Sequence, residues 1–212
     1  MPLLQNNETY TVRGTMDLSS GTTNFKSGSI SRSTLTQEVL AEVGVSLFNC
    51  RVWNNYAAPL PTTAALDDLG LVGTWATDAK TLQTINQGSN GAATSAYAVF
   101  DIVVGNEFDT GETMQVRFRA GMVTAVADAT ATIDLVAYVN DGDGAIGSDL
   151  CTTAAQTINS LTKADKDFTI NTASLAHGDV IECRVDIEIE DAATGTVIGE
   201  ISQIQLVRDI KG

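Results

Sequence analysis

Residues 180–190 read VIECRVDIEIE, with Ile181, Cys183, Val185, Ile187 and Ile189 on one parity and Glu182, Arg184, Asp186, Glu188 and Glu190 on the other. A period of two sends successive side chains to opposite faces of a strand, so one face meets a core and the other meets water. A helix would scatter the same residues around its circumference. About six segments of this kind, parted by Gly, Asp and Asn turns, fill the second half of the chain.

The first of them begins near Thr94 and puts Ala98, Phe100, Ile102 and Val104 on one face. Next come Met114, Val116 and Phe118, with Gln115, Arg117 and Arg119 turned away, and then Ile133, Leu135, Ala137 and Val139. A short strand holds Phe168 and Ile170, and the turn ASLAHGD leads into the long strand over residues 180–190. In the last strand, over residues 197–210, Val197 and Ile201 share one parity while Ile204, Leu206 and Ile210 share the other, which a bulge near Ser202 and Gln203 reconciles. Strands this close together leave no room for crossover helices. The predicted fold class is therefore all-β, an antiparallel β-sandwich of jelly-roll-like connection over residues 94–212.

Residues 1–93 are rich in Thr, Ser, Asn and Gly, and their periodicity is weak. They are expected to form an extended, loop-rich N-terminal arm region with a few strands, which packs on the sandwich or reaches beyond it. Residues 25–35 suit a hairpin, and residues 36–43 suit one or two helical turns capped by Thr36. The run AAPLPTTAALDDLGLVGTW suits an ordered loop crossing a surface.

At 212 residues the chain can bury a true core. Its 3 cysteines, Cys50, Cys151 and Cys183, are odd in number and widely spaced, so neither a disulfide framework nor a zinc site is expected. Cys183 lies on the apolar parity of its strand and reads as a small buried hydrophobe. The opening MPLLQNNE lacks a basic region followed by an apolar run, and no apolar stretch is long enough to span a bilayer, so neither a signal peptide nor a membrane segment is expected. Twenty-six acidic against 12 basic residues give a formal charge of -14, which disfavours nucleic acid and anionic membranes as partners. The same charge keeps exposed strand edges from pairing with one another.

Asp141, Asp143 and Asp149 in DGDGAIGSD are weak candidates for a calcium loop, since hard cations seek several oxygens converging from a flexible turn. The EF-hand spacing fails, with Ala145 at the third ligand position and no Glu at the twelfth, and a metal-free turn is the preferred reading. His177, the single histidine, is read as a turn residue, and Glu188 and Glu190 as part of a solvated acidic stripe rather than a glycosidase pair. Trp53, Tyr56 and Trp75 either form an exposed aromatic surface for a partner or sugar ring, or pin the proline-rich loop to the sandwich. No nucleophile, base or cofactor fingerprint emerges, so the chain is expected to be non-enzymatic and to carry no cofactor.

The phrases NFKSGSISRSTL, LPTTAALDDLGL, GSDLCTTAAQTINSLT, DFTI, LAHGDVIECRVDIEIEDAATGT and LVRDIKG resemble structural proteins encoded in tailed-phage and prophage virion gene clusters. The resemblance runs from about residue 25 onward and is one of texture, with no diagnostic site motif. It implies a capsid decoration or cement protein that assembles in the host cytoplasm and binds the outer surface of a phage head, bridging major capsid protein subunits. It implies a homo-oligomer too, a trimer first and a dimer second, because capsid lattices offer local three-fold and two-fold positions. Attachment would run through the arm by strand addition, with Ile30, Leu35, Leu40 and Phe48 as apolar anchors. Two alternatives stand beside it: a tail fibre or baseplate sandwich, for which no internal repeat is found, and a carbohydrate-binding module, whose aromatic platform would have to come from Trp53, Tyr56 and Trp75.

Overall fold

A computed structural model describes residues 40–108, 111–140 and 147–209. The expected hairpin over residues 25–35 lies outside them.

Two antiparallel sheets of 6 strands each face one another. The first sheet contains β1 (Leu40–Val45), β4 (Gly70–Val72), β5 (Thr81–Gln83), β7 (Met114–Met122), β10 (Ala164–Thr169) and β12 (Gly199–Asp209). Its order is β10-β7-β12-β5-β4, and β1 pairs with the C-terminal half of β12. The second sheet runs β3-β2-β6-β11-β8-β9. Its members are β2 (Arg51–Val52), β3 (Asn55–Pro59), β6 (Thr94–Val103), β8 (Thr130–Asn140), β9 (Gln156–Thr157) and β11 (Val180–Glu190). The only helical turn among the described residues is Leu47–Asn49.

The parity read from the sequence is the parity of the sheets. Ile181, Cys183, Val185, Ile187 and Ile189 of β11 are buried, as are Ala96, Ala98, Phe100 and Ile102 of β6 and Ile133, Leu135 and Ala137 of β8. Opposite them, Met114, Val116, Phe118 and Ala120 of β7 and Phe168 of β10 fill the first sheet's inner face. Phe118 links the layers: its ring meets Phe100 of the second sheet edge-on at 6.2 Å and Phe168 of its own sheet at 5.7 Å. Each large apolar side chain fully buried in this way contributes about 1.5–3 kcal/mol. The ladder of β12 against β7 shifts register between Ile201 and Gln203, the expected bulge. The shift brings Ile201, Ile204 and Leu206 all into the core despite their unequal parity.

Burial raises the Cys183 thiol above its ordinary pKa and pushes Cys50 up to about 12, so both are neutral, inert packing groups. All three cysteines are free.

The division expected at residue 93 runs through the sandwich rather than beside it. Strands β1, β4 and β5 belong to the first sheet and β2 and β3 to the second, and all lie in one compact unit, Glu38–Gly212. The weak periodicity of residues 40–83 has a physical source: these strands are short edge pieces, burying a few side chains such as Leu47, Leu60, Leu69 and Leu82. The helical turns expected over residues 36–43 are likewise corrected. From Leu40 on, this stretch is β1, because pairing with six residues of β12 outweighs the helical preference of Leu, Ala and Glu.

Asp191, which follows β11, is buried and holds three loops together. Its carboxylate accepts hydrogen bonds from the backbone N–H groups of Ser89, Asp128 and Thr194, each at 2.9 Å. Burial opposes ionisation there, but these hydrogen bonds prevail and keep the carboxyl below the usual range.

Candidate functional groove

The outward face of the second sheet carries the site. Because β6, β11 and β8 pair in register, their outward residues stand in rows across the strands. One row is Asp101, Glu182 and Tyr138, the next is Val99, Arg184 and Val136, and the third is Tyr97, Asp186 and Asp134. Arg51 of β2 pairs with Val99 and extends the second row.

Beyond β6 the β2–β3 hairpin rises as a wall. Trp53 sits in its turn, with its ring 5.2 Å from that of Tyr97 at 53°. Tyr56, on β3, is 63% exposed. Between this wall and the sheet lies an open groove of about 650 Å3. Its floor is Val99, Asp101, Glu182, Arg184 and Tyr138, and its wall is Asn49, Arg51, Trp53 and Tyr56. The groove thus joins aromatic rings to planar amide, carboxylate and guanidinium groups.

Its electrostatics are mixed in sign. Asp101 faces Glu182 across the ladder, and burial first, with Glu182 second, raises the Asp101 carboxyl above its ordinary range. Glu182 accepts a hydrogen bond of 2.6 Å from the amide of Asn140. The Arg184 guanidinium lies over the Tyr97 ring, 5.1 Å from its centroid, a contact that fixes where its charge points.

Trp53 and Tyr56 are brought together by the fold, as an aromatic surface requires. Trp75 does not line this groove; it is 96% exposed on the loop between β4 and β5. Of the expected arm anchors, Ile30 and Leu35 lie outside the described residues. Leu40 opens β1 opposite Asp209, and Phe48 is 63% exposed with the Lys80 ammonium 4.4 Å from its ring centroid. Asp141 and Asp143 also lie outside the described residues. Asp149 accepts the backbone N–H groups of Ala137 and Cys151, each at 2.9 Å, which is the work of a turn residue. Among the described residues no three His, Cys, Asp or Glu side chains are grouped to hold a metal ion. His177 is exposed, with Nδ1 3.1 Å from the Gly105 carbonyl oxygen.

Sequence reasoning missed Arg51, Asp101, Tyr138, Glu182 and Arg184 as groove residues. A signal was present: an outward face that is merely solvated has little use for Tyr97, Val99, Val136 and Tyr138, yet all four sit on polar-parity positions and are half-buried.

No family model and no curated protein sequence matches the chain. Solved structures align with it at low identity. A CBM22-1 xylan-binding domain from Paenibacillus barcinonensis Xyn10C is 13% identical over 81% of this chain and 99% of its own, with a TM-score of 0.39. CBM27-1 of Caldicellulosiruptor saccharolyticus, solved with mannohexaose, is 10% identical over 78% of this chain and 96% of its own, with a TM-score of 0.43. A structure of infectious bursal disease virus, Gx strain, is 12% identical over 68% of this chain and 37% of its own, with a TM-score of 0.32. What those proteins bind or build is a property of those proteins.

Proposed function

We propose that this chain is a non-enzymatic binding sandwich whose groove takes a carbohydrate chain. The observation that carries the reading is the juxtaposition, in one open trough, of Trp53, Tyr56 and Tyr138 with the planar polar groups of Asn49, Arg51, Asp101, Glu182 and Arg184. A sugar ring offers a C–H face that packs on aromatic rings and a rim of hydroxyls that bond to fixed polar groups, and the trough supplies both. A groove that is open rather than enclosed suits part of a polymer better than a sequestered small molecule. Turnover is not part of the proposal: Asp101 and Glu182 rise side by side from the floor, whereas a glycosidase needs its two carboxyls on opposite sides of the scissile bond.

The resemblance of LPTTAALDDLGL and LAHGDVIECRVDIEIEDAATGT to virion proteins favours a setting for this activity, and with it a second reading. In that reading the sandwich decorates a tailed-phage head, and the N-terminal arm attaches it to the major capsid protein. The two readings are compatible and are tested apart. Affinity electrophoresis against a polysaccharide panel, with Tyr56→Ala as the control, tests the groove: retardation abolished by the substitution supports it, and no retardation on any polysaccharide rejects it. Co-sedimentation with assembled capsids, combined with the solution mass, tests the setting.

A further inference from the structure

We infer that the groove selects an acidic polysaccharide, one bearing uronate carboxylates, and that Arg51 and Arg184 hold the carboxylate. The inference rests on the carbohydrate reading and names the class of sugar within it.

The argument begins from how this chain uses its arginines. On the first sheet and its flanking loops each described arginine is neutralised. Arg117 makes a two-pronged pair with Asp167 at 2.6 and 3.0 Å and reaches Glu42 at 3.0 Å, Arg119 meets Asp165 at 2.9 Å, and Arg208 meets Glu107. Arg51 and Arg184 differ. Neither forms an ion pair within 4.0 Å among the described residues, and both line the groove. Asp101 and Glu182 share the trough and Arg184 attracts Asp186, yet neither guanidinium is locked into a hydrogen-bonded ion pair among the described residues. Both half-buried forks therefore stay open to a carboxylate from outside.

Geometry agrees. Arg51 pairs with Val99 on β6, and Val99 pairs with Arg184 on β11, so the two arginines share one row and flank an apolar residue. Two strand spacings put their Cα atoms about 9–10 Å apart, and both side chains can reach inward to one carboxylate between them. Tyr97 beneath Arg184 restrains its guanidinium and limits the freedom lost on binding. A guanidinium offers a planar fork that matches a carboxylate.

The net charge of -14 opposes a polyanion at long range, so the preference must come from the short-range arginine forks, with Asp101 and Glu182 kept for hydroxyls. They lie one row away along the strands, roughly 6–7 Å on, where they accept hydrogen bonds from ring hydroxyls while the acidic substituent takes the arginine row. A uronic acid presents both features on one ring, so the two rows together read a carboxylate beside hydroxyls.

The test is calorimetry of the full chain with oligogalacturonate, oligoalginate and hyaluronan fragments, each compared with its carboxyl-reduced or methyl-esterified neutral form. At least one acidic chain should bind about tenfold or more tighter than its neutral form, as expected of a charge-assisted hydrogen bond. Arg51→Gln and Arg184→Gln should each remove most of that preference while the protein stays cooperatively folded, Arg184→Gln at a somewhat lower melting temperature because its contacts with Tyr97 and Asp186 are lost. Binding of neutral chains with no acidic preference overturns the inference and leaves the carbohydrate reading intact. Binding of no sugar overturns both. Acidic binding that survives both substitutions, or equal binding of dextran sulfate and polyphosphate, overturns the assignment to a carboxylate held by these two arginines.

Discussion

Asp186 stands directly opposite Asp134 on the outward face of the β11–β8 ladder. Burial first, and the Asp134 charge second, lift the Asp186 carboxyl from an ordinary 3.8 to about 6, although Arg184 pulls the other way. Between those two pH values the folded protein keeps a proton that the unfolded chain releases. The contribution to stability is therefore fully present below about pH 4 and is lost as pH rises through 6. Asp186→Asn should stabilise the protein at pH 7 by about 1–2 kcal/mol, once partial exposure of the pair is allowed for, and should give no such gain at pH 4. Urea unfolding of both proteins at the two pH values measures the difference, and an equal gain at both would reject the charge explanation.

Gly70 offers a steric test of how the loop before β4 is seated. A Cβ at this position would stand 2.3 Å from the Ala64 backbone nitrogen and 2.8 Å from its Cα. Backbone cannot swing aside as a side-chain tip does, so Gly70→Ala must displace the loop that carries Leu69 into the core. The expected cost is about 1–3 kcal/mol, the usual penalty of overpacking. Gly91→Ala is the comparison, because nothing lies within 4 Å of its Cβ position, although its φ of +64 adds some strain. Equal melting temperatures for Gly70→Ala and the parent protein would show that the loop is not held as described.

The groove predicts an order among three aromatic substitutions. Tyr56→Ala should weaken sugar binding by about 1–2 kcal/mol with no change in stability, since the ring is exposed. Trp53→Ala should lower both, because its ring packs on Tyr97. Trp75→Ala should alter neither, being outside the groove. Calorimetry with the best polysaccharide ligand and thermal unfolding decide the order, and a binding loss at Trp75 alone would move the site to the β4–β5 loop.

The sandwich was legible wherever a strand was long enough to repeat its parity. Ile181 to Ile189 mark a buried face, and Ile201 against Ile204 marks a bulge, because both are facts of one strand and its two sides. Strands β2 to β5 escaped because two to five residues cannot display a period, and their places depend on partners distant in the chain. The groove was half legible for the same reason. Trp53 and Tyr56 lie close in sequence and were seen together, whereas Arg51, Val99 and Arg184 form a row only once β2, β6 and β11 are paired. Trp75 was grouped with them by sequence distance, which says nothing of which edge a loop crosses.

The edge of β12 sets the last prediction. Its C-terminal half is covered on one side by β7 and on the other by β1, which pairs from Leu40 with Asp209 to Val45 with Ile204. Removing residues 1–37 leaves β1 in place, so that truncation should keep β12 covered and unfold cooperatively as a monomeric sandwich, while losing capsid binding if the arm supplies it. Removing residues 1–45 strips β1 away and bares six residues of β12 backbone that include the buried Leu206 and Val207. An uncovered, apolar edge is a template for another chain, so the shorter protein should be less stable and should self-associate. Light scattering and thermal unfolding of the two truncations distinguish the cases. A monomeric, fully stable protein lacking residues 1–45 would show that β1 contributes nothing to the first sheet.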